Sequence, residues 1–446
     1  MPRAAPALLL TVALCLAGPG AGCRDPAPRP GGDERRAEER RAPAPLTITI
    51  DAPGREEWST DGEVLVRGRV DPPAGAAVRV DDGAPVRVGP DGAFEARVRL
   101  PDGPHEVLVT AAGRLGERPA EGRATHVVRV DRAPPRLVVT SPHDGLRTGA
   151  DAVWLRGRVF DHQARVDVVI QAPGERRELR LERGQPLEVR LALPPGTSRL
   201  ELTATDALGH AATLARVVTR EEGFFGLPVT ADHVVFVIDT SGSMVLLDRP
   251  AGHPLSEADL RRADPGDPIV RELSRIARAK TELAAALRGL RPAQRFNVIA
   301  FASDVRAWRP GVVAADEGAR ASALAFVDAL TPGGLTRTRD ALEVALADPA
   351  VEVIYLLSDG APADRAGSAE ALREQAREGA QACLALARER AAPRGVRLHV
   401  LGMDGPGLHL ERWGPRDTPD DADYQRLLRR FLEELARVTG GSFRSL

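Results

Sequence analysis

Five apolar residues run without a break from Val234 to Ile238 and end on a carboxylate, Asp239, with Thr240, Ser241, Gly242 and Ser243 directly behind it. A short continuous apolar run flanked by polar residues suits a strand buried on both faces of a parallel sheet. Open α/β sheets place their ligand sites just past the carboxyl ends of such strands. One carboxylate and two hydroxyls at spacing two, delivered there, form a hard all-oxygen donor set. Magnesium favours such a set and usually keeps several waters when bound.

From Ala231 onward, apolar runs alternate with stretches of helical periodicity, the pattern of an α/β domain. Ile276, Ala277, Leu283, Ala284, Leu287 and Leu290 recur at helical spacing. Residues 296–301, 351–357 and 396–401 read as strands, and 305–308 as an antiparallel edge strand. Residues 321–330, 367–391 and 425–438 read as helices, and 439–444 as a turn into a closing strand. Ser358-Asp359-Gly360 follows the central run, which brings Asp359 to the same sheet edge as Asp239. Thr336 follows the glycine pair Gly333-Gly334, just ahead of a helix. Thr338 competes with it; the spacing to the helix favours Thr336, and a hydroxyl at Thr338 suits a helix cap.

Asp239-x-Ser241-x-Ser243, Thr336 in its glycine loop and Asp359 together resemble the metal-ion-dependent adhesion site of von Willebrand factor A domains. Arg295-Phe296-Asn297-Val298-Ile299-Ala300-Phe301 and Thr439-Gly440-Gly441 also look like text of that family. The resemblance implies that Ser241, Ser243 and Thr336 offer hydroxyls to Mg2+ (or Mn2+ or Ca2+), while Asp239 and Asp359 act mainly through water. It also implies an open coordination position, completed by an Asp or Glu side chain of a protein partner. The loop departs from the commonest form, because Leu335 separates the glycine pair from the threonine.

At 446 residues the chain exceeds one ordinary domain. Residues 46–220 carry an internal repeat: Val64-Leu65-Val66-Arg67-Gly68-Arg69-Val70 is echoed by Val153-Trp154-Leu155-Arg156-Gly157-Arg158-Val159. Leu100-Pro101-Asp102-Gly103 is echoed by Leu193-Pro194-Pro195-Gly196. Alternating apolar residues broken by Gly, Pro and Asp turns predict two β-sandwiches. They resemble bacterial immunoglobulin-like modules, over 46–132 and 133–221, with Pro134-Pro135 at the joint, and they read as spacers. Trp154 reads as sandwich core. The fold class is therefore multidomain: two all-β immunoglobulin-like sandwiches followed by a doubly wound, Rossmann-like α/β domain over 230–446.

The N-terminus adds a location. Arg3 supplies a basic start, and Leu8 to Leu16 is an apolar stretch too short to span a bilayer. Gly20-Ala21-Gly22-Cys23 resembles a bacterial lipobox, with Gly20 where leucine is usual, so residues 1–23 read as an export signal with Cys23 as the lipidation site. Residues 24–45, rich in Pro, Arg and Glu, read as a disordered tether. The expectation is an exported cell-envelope protein, lipid-anchored and facing the periplasm or the surface, or secreted if Cys23 carries no lipid. Removal of Cys15 with the signal and use of Cys23 for lipid leave Cys383 as a lone, buried thiol.

Net charge is −2, which gives no argument for nucleic acid. Nor does the sequence suggest a small-molecule substrate. No Gly-x-Ser-x-Gly elbow, P-loop or His-Glu-x-x-His occurs, and the nine histidines are scattered, so the chain reads as a non-enzyme. The alternatives are a non-adhesive envelope scaffold or assembly factor with a structural metal, and a hydrolase with an unrecognised site. Two polar insertions, 247–268 and 403–424, are expected on the metal face. There Trp413, Asp248 and Arg337 are the candidate rim residues for choosing a partner.

Overall fold

The computed structural model of the chain describes residues 43–365, 367–405, 407–411 and 422–446. Cys23, the export signal and nearly all of the tether lie outside the described residues, as does Trp413. Ala44–Pro45, assigned from the sequence to the tether, instead form a short strand beside Ala120 and Glu121, with Ala44 buried. No helix among the described residues is long and apolar enough to cross a membrane.

The chain divides into two compact units, Met1–Asp131 and Arg132–Leu446. In the first, Thr47–Ala52, Glu63–Asp71 and Ala93–Arg99 form a three-stranded sheet, and a second sheet is built around the long hairpin Gly103–Leu115 and Arg118–Val130. Val66, Phe94 and Ala96 from one sheet share a core with Val78, Val107, Val109 and Val128 from the other.

The second unit opens with a matching sandwich. Arg136–Ser141, Ala152–Phe160 and Pro186–Ala192 form one sheet, and five strands including Arg165–Ala172 and Gly196–Thr205 form the other. The repeated glycine has a steric cause. A Cβ on Gly157 would stand 2.4 Å from the Val138 carbonyl oxygen, and one on Gly68 2.2 Å from that of Thr49. Trp154 corrects the sequence reading. Strand parity turns Val153, Leu155 and Val159 inward, so Trp154 is 43% exposed and lies under the Arg156 guanidinium.

The rest of the second unit is a seven-stranded sheet with helices on both faces. Its strands are β1 (His233–Asp239), β2 (Arg295–Phe301), β3 (Val305–Ala307), β4 (Val313–Ala314), β5 (Val353–Ser358), β6 (Arg397–Gly402) and β7 (Phe443–Ser445). The order is β3-β2-β1-β5-β6-β7, with β4 also on β2. Strands β2, β1, β5, β6 and β7 are parallel; β3 and β4 are antiparallel to β2. The helices are α1 (Glu257–Arg262), α2 (Pro268–Leu273), α3 (Arg275–Gly289), α4 (Glu317–Asp328), α5 (Thr338–Ala347), α6 (Ala369–Leu386) and α7 (Ala422–Val438).

The unbroken apolar run of β1 follows from this layering. Val234, Phe236 and Ile238 pack with α3 and α4, whereas Val235 and Val237 pack with α5, α6 and α7. The direction in which successive strands are added reverses at β1, since β2 lies on one side and β5 on the other. That is a topological switch point, and it opens a crevice beyond the carboxyl ends of β1 and β5. Cys383 lies buried on α6, and burial pushes its thiol up to about 12.

Candidate metal centre

Asp239 ends β1 and Asp359 directly follows β5, so the crevice receives both carboxylates, with Asp239 0% and Asp359 5% exposed. Behind β1 the chain turns into a short 3-10 segment, Gly242–Val245, which swings Ser243 back over the sheet edge. The Ser241 backbone N–H donates to Asp239 Oδ1 at 2.8 Å, and Ser358 Oγ donates to Asp239 Oδ2 at 2.6 Å. Ser243 Oγ donates to Asp359 Oδ1 at 2.7 Å and stands 3.2 Å from Ser241 Oγ.

The glycine loop reaches the same place through its backbone. Gly242 N–H donates to the Gly334 carbonyl at 3.0 Å, and Gly333 N–H donates to the Thr240 carbonyl at 2.8 Å. Thr336 is fixed by a reciprocal backbone pair with Ala363. Its hydroxyl is brought to Gly360: a Cβ on Gly360 would lie 3.3 Å from Thr336 Oγ1 and 3.7 Å from Ser243 Oγ. The hydroxyls of Thr336 and Ser243 thus both lie beside Gly360. Thr338 does not act as the expected cap. Arg337 occupies the cap position of α5 without a side-chain bond, and Thr338 Oγ1 is buried without a hydrogen-bond partner among the described residues.

This donor set suits a small hard dication. Oxygens bound at 2.0–2.1 Å in an octahedron are separated along an edge by about 3 Å, close to the Ser241–Ser243 spacing of 3.2 Å. Thr336 Oγ1 makes no side-chain hydrogen bond among the described residues, which leaves its lone pairs available. Glycine at 360 leaves the space between the hydroxyls empty of side chain. Burial raises the carboxyl of Asp239, and the neighbouring Asp359 raises it further. Burial also raises Asp359, against the lowering effect of Arg275. Two carboxyls driven toward their neutral forms by burial constitute a site that a cation would relieve.

The two insertions, read from the sequence as polar, carry a buried apolar cluster among their described residues. Leu247 and Leu408 exchange backbone hydrogen bonds at 3.0 and 2.7 Å. With Leu260, Ile269, Val270, Leu273 and Leu410 they build a small separate core. Asp248 is not a free rim residue: its Oδ1 accepts from Arg275 Nε at 2.9 Å and its Oδ2 from Arg278 Nη1 at 2.7 Å. Arg337 is 45% exposed and pairs with Asp340 at 2.9 Å.

Sequence reasoning missed Arg275. Its guanidinium, 2% exposed, donates from Nη1 to Asp359 Oδ2 at 2.9 Å and from Nη2 to the Gly405 carbonyl at 2.6 Å. The available signal was an arginine between Leu273 and Ile276, at the start of an otherwise apolar helix face. Ser358 was also missed as the partner of Asp239, although it adjoins Asp359.

Residues 269–394 match the von Willebrand factor type A domain family and form a domain of that type. The matched span contains Thr336 and Asp359 and begins downstream of Ser243. Bacillopeptidase F from Bacillus subtilis is 25% identical over 173 residues, 38% of this chain but 11% of that protein. This chain thus spans only about a tenth of its curated relative. Among solved structures, a von Willebrand factor type A protein from Catenulispora acidiphila is similar at 17% identity and a TM-score of 0.30, covering 56% of this chain and 41% of its own. The conserved hypothetical protein BatB from Bacteroides thetaiotaomicron is similar at 20% identity and a TM-score of 0.31, covering 48% of this chain and 90% of its own.

Proposed function

We propose that the α/β domain binds a protein partner through a divalent cation, Mg2+ or Mn2+, held by the hydroxyls of Ser241, Ser243 and Thr336, with Asp239 and Asp359 acting mainly through water. The observation that carries this reading is the approach of the Thr336 and Ser243 hydroxyls, from two separate loops, to Gly360, with Ser241 Oγ 3.2 Å from Ser243 Oγ and two buried carboxylates beside them. When bound, the ion supplies a Lewis-acid position that accepts a carboxylate oxygen from the partner. The chain's own residues hold and shape that place. Ser358 and the Ser241 N–H fix both oxygens of Asp239, and Ser243 is held toward Asp359. Among the described residues Ser241 and Ser243 bond to each other, and Ser243 also donates to Asp359.

The same reading gives the two sandwiches the role of immunoglobulin-like spacers and Cys23 that of a lipid anchor in the cell envelope. Its support is the β-sandwich repeat and the lipobox-like N-terminal text.

Calorimetric titration of the protein with Mn2+ and Mg2+, beside the double variant Asp239→Ala, Ser243→Ala, tests the centre of the proposal. Saturable one-site binding that the variant loses is expected. Equal heats from both proteins, with the variant folded, would reject a cation at this place.

A further inference from the structure

Arg275 is the feature of the centre that the adhesion-site pattern does not include. It is the first residue of α3, behind the cap Ser274, and its backbone N–H donates to the Leu246 carbonyl at 3.0 Å. All three guanidinium nitrogens are engaged. Nε bonds Asp248, Nη1 bonds Asp359 and Nη2 bonds the Gly405 carbonyl, at 2.9, 2.9 and 2.6 Å. A charge this deeply buried persists only with such compensation, and arginine's planar fork is suited to supplying several directed bonds at once. It reaches the centre itself, because Asp359 places one oxygen on Ser243 and the other on Arg275.

The local charges give this contact a consequence. Asp239, Asp359 and Asp248 in their ionised forms are opposed by Arg275 and Arg278, which leaves one uncompensated negative charge around a place suited to a dication. A dication entering there meets a fixed guanidinium on the far side of Asp359. A second anion, brought from outside, would restore the balance.

We propose that Arg275 is a built-in counter-cation of the metal centre. It balances Asp359 when no metal is bound, holds one oxygen of that carboxylate away from the ion, and weakens the hold on a dication so that an acidic ligand is needed to complete the charge. Arg275 is thus a positioning residue acting through Asp359. It also ties the centre to both insertions, through Asp248 on one side and Gly405 on the other. The inference rests on the metal-binding reading above.

The test is Mn2+ affinity, measured by calorimetry on the full chain for the native protein and for Arg275→Gln, Arg275→Lys and Asp248→Asn. Thermal melts in chelator are recorded alongside. Loss of a unit charge this near a dication should tighten Mn2+ binding by at least about tenfold in Arg275→Gln. Arg275→Lys, which keeps the charge, should stay near native affinity. Asp248→Asn, which removes a negative charge and leaves Arg275 more fully to Asp359, should bind several-fold more weakly, and it decides the matter if Arg275→Gln does not fold. A guanidinium that only braces the fold would lower the melting temperature without tightening the metal. Arg275→Gln binding no more tightly than native, Arg275→Lys matching a tightened Arg275→Gln, or Asp248→Asn binding as tightly as native would each overturn the role. Absence of saturable binding in the native protein and in Arg275→Gln alike would instead overturn the metal-binding reading beneath it.

Discussion

Asp239 shows how much a buried carboxylate depends on its immediate partners. Its Oδ1 accepts the Ser241 N–H and its Oδ2 the Ser358 hydroxyl. Replacing Ser358 with alanine removes the 2.6 Å bond and leaves a buried acceptor short of a donor. The expected cost is about 1–3 kcal/mol, read as a lower urea midpoint in the metal-free protein. An unchanged midpoint would mean that water replaces the hydroxyl at no cost. Trp154 teaches a different lesson at the same scale. Residue size suggested the core, but strand parity decided the matter, and the ring is exposed beside Arg156.

Helix α3 connects two parts of the second unit. The N-terminal end of α3 carries Arg275 into the candidate metal centre, and Glu282, two turns on, turns to the second sandwich. Glu282 accepts from Thr148 Oγ1 and from the Gly149 N–H, the latter at 2.9 Å. Burial raises the Glu282 carboxyl, against the lowering effect of these two bonds. The folded state therefore holds this proton at higher pH than the unfolded chain, in which glutamate titrates near about 4.3. The sign follows from linkage: the contribution is fully present below the unfolded value and is lost as pH rises through the folded one. Denaturant melts from pH 4 upward should show the native protein losing stability relative to Glu282→Gln. Parallel pH profiles for the two proteins would contradict this account.

Across the second unit, the sandwich and the α/β part are joined by carboxylates rather than by a bare linker. Glu272 on α2 accepts from Ser141 Oγ and from Arg156 Nη1, the latter at 2.6 Å. Glu221 pairs with Arg147 and, at 3.7 Å, with Arg444. Phe224 and Phe225, from the connecting stretch, are buried against Phe236 and Tyr355 of the α/β core. The double variant Glu221→Ala, Glu272→Ala should loosen this junction, so limited proteolysis should cut residues 221–231 faster while the metal titration stays unchanged. Cleavage at the native rate would show that the buried phenylalanines hold the junction without the ion pairs.

The sequence alone determined the elements with the strongest periodic signal. Val234 to Ile238 suited a strand covered on both faces, and a carboxylate at its end pointed to the sheet edge where Asp359 also arrives. The repeated Arg-Gly-Arg segments marked two sandwiches, because alternation and turns are local properties that a chain displays before it folds. Tertiary structure decided the rest. Arg275 reaches Asp359 across 84 residues, and Leu247 meets Leu408 across 161. Neither contact leaves a periodic trace, because each depends on where two distant loops emerge from the sheet. Residue types at strand ends announce a chemistry through local spacing; the partners that balance its charge are chosen by packing, which no local pattern encodes.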